Sequence, residues 1–156
     1  MAARITDRLT PEGRRFEQML KDLTNLEVRI GFQAGEASED NGVDMCDVAA
    51  WNELGTAHSP ARPFMRQSVD NHEGEINEFL QSKKRDLVSG ASAEQVLKEI
   101  GIFQKNLMQN EITSGNFAPN APATIRKKKS STPLVDTGRM RQSVNYQIKP
   151  KGGGGQ

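Results

Sequence analysis

Ser92-Ala-Glu-Gln-Val-Leu-Lys-Glu-Ile-Gly-Ile-Phe-Gln-Lys-Asn-Leu-Met-Gln-Asn-Glu-Ile112 is the stretch that decides how this chain folds. Val96, Leu97, Ile100, Phe103, Leu107, Met108 and Ile112 recur at the spacing that lines apolar side chains along one face of an α-helix. Ser92 followed by Gln95 has the form of a capping box. Gly101 interrupts the stripe, and its missing side chain would let another helix approach closely. Upstream, Met65, Val69, His72, Ile76, Phe79, Leu80 and Leu87 trace one face of a second helix, beginning near Phe64 and broken at Ser89-Gly90. Gly74 weakens its middle. Two long helices joined by a short turn are expected to pack antiparallel as a hairpin.

Working outward, Thr10-Pro11-Glu12 reads as a helix start, with Phe16, Met19, Leu20 and Leu23 at helical spacing to about residue 24. Leu26, Val28 and Ile30 alternate with Glu27 and Arg29, a half-buried strand over 26–32. Residues 33–46 have little to bury and read as a mobile loop, with Asp44 capping a short helix. Val48, Ala49, Trp51 and Leu54 give that helix its apolar surface, and Gly55 ends it. Residues 58–63 form a proline-stiffened connector. Residues 116–135 read as an extended segment with one or two turns over 122–128. Asp136 or Thr137 caps another short helix through Gln142. Val144, Tyr146 and Ile148 then alternate as a strand that would pair with the first. The glycine-rich end, 151–156, reads as a flexible tail. The expected fold is α+β, one domain over 1–156: an antiparallel helical hairpin plus an N-terminal helix packed on a small antiparallel sheet, with long extended loops.

Composition points away from a self-sufficient monomer. Hydrophobic residues make up 35% and aromatics 5%, which is lean against the entropy that folding must offset. Part of the burial is therefore expected at subunit interfaces. Lys and Arg number 21 against 20 Asp and Glu, so bulk charge does not favour nucleic acid. The distribution is uneven: Glu36, Glu39, Asp40, Asp44, Asp47 and Glu53 cluster, whereas residues 126–151 are basic with Asp136 the only acid. Such opposed regions suit complementary subunit surfaces, and pairing within one chain equally. Cys46 stands alone, so a reducing compartment is expected. The N-terminus lacks a signal-peptide pattern and no run is long and apolar enough for a membrane helix, so synthesis in a cytoplasm and no membrane partner are expected.

Catalytic patterns are weak. His58, His72 and Cys46 would make an unusual metal site, and His72 reads as a core-margin or interface histidine. Cys46 has no neighbouring base that would make it a nucleophile. Asp136-Thr137-Gly138 occurs once, whereas an aspartic-protease dyad needs two such carboxylates sharing a proton. Neither enzymatic activity nor a cofactor is expected. The basic cluster Arg126, Lys127, Lys128 and Lys129 could neutralise phosphates without reading sequence, or could grip an acidic partner.

Four phrases carry a resemblance: Val48-Ala-Ala-Trp-Asn-Glu-Leu-Gly-Thr56, Pro60-Ala-Arg-Pro-Phe-Met-Arg66, Ala118-Pro-Asn-Ala-Pro-Ala-Thr-Ile-Arg-Lys-Lys-Lys129 and Pro133-Leu-Val-Asp-Thr-Gly-Arg-Met-Arg-Gln-Ser-Val144. In this order they resemble the small virion-morphogenesis proteins of long-tailed bacteriophages, the tail-completion or neck components at the head–tail junction. Leu54 stands where that family more often has phenylalanine. The resemblance implies a structural protein without cofactor that forms a ring, often a hexamer, around a channel for DNA. Its implied partners are further copies of itself, portal or connector proteins, and the tail tube or terminator protein, with genome DNA passing through unread. Its implied location is the virion neck or proximal tail end. Carried onto this chain, Gly55, Thr56, Pro60 and Pro63 shape the connector, and Asp136, Thr137 and Gly138 a second turn. Arg62, Phe64, Arg66, Arg139 and Arg141 are the interface candidates, together with the long 33–46 and 116–135 segments. The alternative is a nucleic-acid-binding accessory protein using residues 126–129.

Overall fold

Thr10 opens the first helix through its side chain, whose Oγ1 accepts the N–H of Gly13 at 3.1 Å. The computed structural model describes residues 8–136 and 138–152. In chain order the elements are α1 (Pro11–Asn25), β1 (Leu26–Gly31), α2 (Met45–Leu54), α3 (Phe64–Asp70), α4 (Glu73–Val88), α5 (Ala93–Ser114), α6 (Pro122–Lys128), α7 (Arg139–Ser143) and β2 (Asn145–Pro150).

α5 is the centre of the molecule. Val96, Leu97, Leu107, Met108 and Ile112 are buried along it, as its apolar stripe requires. Ser92 caps it by accepting the N–H of Gln95 at 3.1 Å. The box is left half made, because the Gln95 side chain reaches forward to Glu99 instead. β1 and β2 pair antiparallel, with Val28 opposite Ile148 and Ile30 opposite Tyr146, and these alternating apolar residues face α5. Gly101 serves this sheet rather than another helix: a Cβ there would stand 2.6 Å from the Tyr146 ring.

The expected architecture of a hairpin and one further helix on a sheet is wrong. The described chain contains seven helices and a two-stranded sheet, with α5 packed by α1, α3, α4 and α7 as well as by the strands. The upstream half of the expected hairpin is two helices. It breaks at Asn71 and His72, beside the buried carboxylate of Glu111 on α5. Asn71 Nδ2 donates to it at 3.1 Å, and the His72 ring approaches it at 3.4 Å. A buried carboxylate must be satisfied, and these two side chains meet it. α3 lies close on α5, where Ser68, fully buried, donates to Met65 O and accepts from Gln104 Nε2. α4 buries no residue completely. It is held by the Phe79–Phe103 stack, with ring centroids 4.0 Å apart, and by Lys83 bridging Asp86 and Glu99.

The main core lies at the far end of α5. Met45, Ala49, Phe64, Met108, Ile112, Leu134, Met140 and Val144 pack as one buried cluster. Val144 was expected in the second strand; it ends α7 instead and is fully buried before the strand starts at Asn145. The 33–44 stretch is closed by the Ser38–Asp44 bridge and by the Asp44 carboxylate, which accepts from Gly35 N and Cys46 N. Thr137 and residues 153–156 of the glycine-rich tail lie outside the described residues.

Candidate assembly interface

The connector after α2 is shaped by one glycine. Gly55 has φ 77°, and a Cβ on it would meet Ala61 N at 2.8 Å, so both conformation and space demand glycine. Thr56 N then donates to Ser59 O at 2.9 Å, and Arg62 N donates to Asn52 O at 2.6 Å, which folds the chain back along α2. Pro63 precedes α3 and has no side-chain donor or acceptor to cap it. Glu53 supplies the cap from α2: its carboxylate accepts the N–H of Met65 at 2.9 Å and of Arg66 at 3.1 Å. A carboxylate at a helix start also opposes the positive end of the helix dipole.

The five interface candidates divide. Arg62 is 8% exposed and turns inward, with Nε donating to Ala118 O at 2.8 Å and a terminal nitrogen donating to Pro119 O at 3.3 Å. Phe64 is fully buried, edge-on to Phe32. Within one copy these two hold the connector to the core and to the 116–121 loop, and they offer little surface to a neighbour. The Arg66 and Arg141 side chains are exposed. Arg139 pairs with Asp40 at 2.6 Å, so the acidic and basic regions do meet inside one chain. Arg126, Lys127 and Lys129 are exposed and Lys128 is half-buried, on a helix with no buried residue of its own. Asp136, exposed beside Lys127 and Lys128, does not cap α7 as expected: the cap position is Gly138, at φ 80°, with no side-chain hydrogen bond there.

The four phrases converge in space. Asn52 of the first receives Arg62 of the second through its carbonyl, and its Nδ2 donates to the sulfur of Met140 in the fourth at 3.8 Å. Arg62 holds Ala118 and Pro119 of the third. Phe64, Leu134, Met140 and Val144 then share the main core.

Trp51 and Leu54 do not join that core. They were expected to pack with Val48 and Ala49, but α2 turns Met45 and Ala49 inward and leaves Asp47, Ala50, Trp51 and Leu54 outside. Trp51 is 51% exposed and Leu54 76%. Beside Leu54 runs an open, mainly apolar groove of about 290 Å³, lined by Phe32, Cys46, Ala49, Ala50, Glu53, Leu54 and Met65. Its rim is acidic. Burial first, and then the charges of Asp44, Asp47 and Glu36, push the Cys46 thiol pKa up. Asp44 itself is held below the ordinary carboxylate value by the N–H groups of Cys46 and Gly35. The signal for this surface was in the helix period: positions 45, 49 and 52 fall on one side of α2, and 47, 50, 51 and 54 on the other. A helix apolar on both sides has two faces to cover.

No family model, curated protein or solved structure matches this chain. Among the described residues no group of three or more His, Cys, Asp or Glu could hold a metal ion, and no helix is long and apolar enough to cross a membrane.

Proposed function

We propose that this protein is a structural subunit of a bacteriophage virion, acting at the neck or the proximal end of the tail. Copies of it would form a ring that completes the tail and joins it to the head, leaving a channel for DNA. The observation that carries this reading is the convergence of the four phrases on one another around Arg62 and Phe64. That segments resembling one family in order also pack on one another supports reading the resemblance as one unit. The exposed Trp51, with Leu54 beside it, supports an assembly role, since tryptophan is among the residues that dominate the energetics of protein interfaces. On this reading the contacts are with further copies, with a portal or connector protein on the head side, and with a tube or terminator protein on the tail side.

The test is made on particles. Virions of the phage encoding this chain should contain it in several copies by mass spectrometry, and a lysate lacking it should hold filled heads and separate tails by electron microscopy. Joined, infectious particles formed without it would reject the reading.

A further inference from the structure

α2 has two apolar sides and the chain covers one of them. The outward stripe carries Trp51 and Leu54, the latter beside an open groove whose edge is acidic. α6 presents the opposite character. It has no buried residue, and Pro122, Ala123, Arg126 and Lys127 are exposed along it. A seven-residue helix is too short to be stable in water by itself, and α6 draws little burial from its own chain. None of the described residues lining the groove belongs to α6, which leaves both surfaces open to a neighbour.

We propose that the outward stripe of α2 and its groove bind α6 of a second copy of this chain, joining copies head to tail. This names the partner of the assembly surface and rests on the structural reading above. The complementarity lies in charge and in uncovered apolar surface together. α6 and the residue after it carry Arg126, Lys127, Lys128 and Lys129 with no acid, and the exposed Asp47 lies on the outward side of α2. Within one copy the Arg139–Asp40 pair already joins the basic and acidic regions of the chain. Across copies, Arg126 is suited to lie over the Trp51 indole as a cation–π pair, Lys127 to meet Asp47, and Pro122 and Ala123 to cover Leu54. Phosphate would satisfy the bases of α6 but leave Trp51 and Leu54 in water, so a protein surface fits both halves better. Because the two faces differ, the contact is heterologous and repeats from copy to copy.

The experiment is light scattering on the full chain over a concentration series, with two variants at exposed positions whose folds are checked by circular dichroism. W51S/L54D spoils the α2 face, and R126E/K127E spoils the α6 face. Wild-type protein should self-associate, and less so as salt rises from about 0.1 M to about 0.5 M. Each variant alone should associate at least about tenfold more weakly. Mixed in equal amounts they should form a discrete one-to-one dimer, since each contributes one intact face. A mixture that stays monomeric overturns the proposal, as does a wild-type protein that is monomeric throughout. So does an R126E/K127E variant that self-associates normally but no longer binds a duplex of about 30 base pairs, which would assign α6 to nucleic acid. Monomeric protein whose loss still leaves heads and tails unjoined would reject this contact while leaving the virion role standing.

Discussion

The ring of Tyr146 in β2 lies against the bare Cα of Gly101 in the middle of α5, where an added Cβ would sit 2.6 Å from Cδ2 and 3.1 Å from the tyrosine's own Cβ. The sheet can approach the central helix because that one position has no side chain. The atoms it would strike are at the base of Tyr146, which cannot swing aside without moving the strand.

Gly101→Ala is therefore expected to destabilise the protein, although alanine favours helix by about 1 kcal/mol over glycine. Overpacking costs about 1–3 kcal/mol and should outweigh that gain. Urea unfolding of G101A should show a lower midpoint. The cost of G101A should be smaller when measured in a Tyr146→Ala background, because the two nearest ring atoms are then gone.

Arg62 ties the 60–66 connector to the 116–121 loop through the carbonyls of Ala118 and Pro119. Arg62→Met keeps the packing stem but leaves those bonds unmade, at a cost of about 2 kcal/mol. Hydrogen exchange followed by mass spectrometry should show the loss concentrated in peptides spanning 116–135. Uniform loss of protection across α5 would contradict that local role.

Glu53→Ala removes the side-chain cap given to the Met65 and Arg66 N–H groups at the start of α3. The expected loss is about 1 kcal/mol. Exchange at the amides of Met65 and Arg66 should rise most, ahead of any change in α4.

The Asp44 carboxyl is held below its ordinary value of 3.8 by the N–H groups of Cys46 and Gly35. A group depressed in the folded state stabilises fully above its unfolded value and loses that contribution as pH falls through the folded value. The 35–44 turn should therefore loosen in acid below the ordinary aspartate range, seen as faster exchange at Gly35 and Cys46. Asp44→Asn should remove that dependence while keeping an acceptor at the α2 start.

Cys46 should react slowly. Burial and the nearby Asp44, Asp47 and Glu36 raise its pKa above the ordinary 9.0, so less thiolate is present at mildly alkaline pH. Iodoacetamide should modify it several-fold more slowly than in the unfolded chain, and Asp47→Asn should quicken the folded-state rate. An unchanged rate on unfolding would contradict this environment.

Much of this was legible in the residues. Thr10, Asp44 and Ser92 cap helices where their side chains suggested, because a cap depends on atoms three residues away or fewer. The strand pair was legible from alternation, since Leu26, Val28 and Ile30 need one face just as Tyr146 and Ile148 do. The break at Asn71 and His72 was not, and their partner there is a carboxylate on α5 about 40 residues later that reads as a surface charge. The inward turn of Arg62 was hidden for the same reason: its partners are two backbone carbonyls, which carry no residue-type signal. The outward turn of Trp51 and Leu54 was half legible, in a helix apolar on both sides.

The sequence by itself determined where α1, α2 and α5 start, which faces are apolar, and that acids and bases are segregated along the chain. Those follow from periodicity, capping and composition, which act over a few residues. Only the tertiary structure decided that the long upstream helix is two, that Arg62 and Phe64 serve the core, and that α2 keeps one apolar side in solvent. Those outcomes depend on which distant groups compete for the same buried space, and the chain settles that competition only when α5 brings them together.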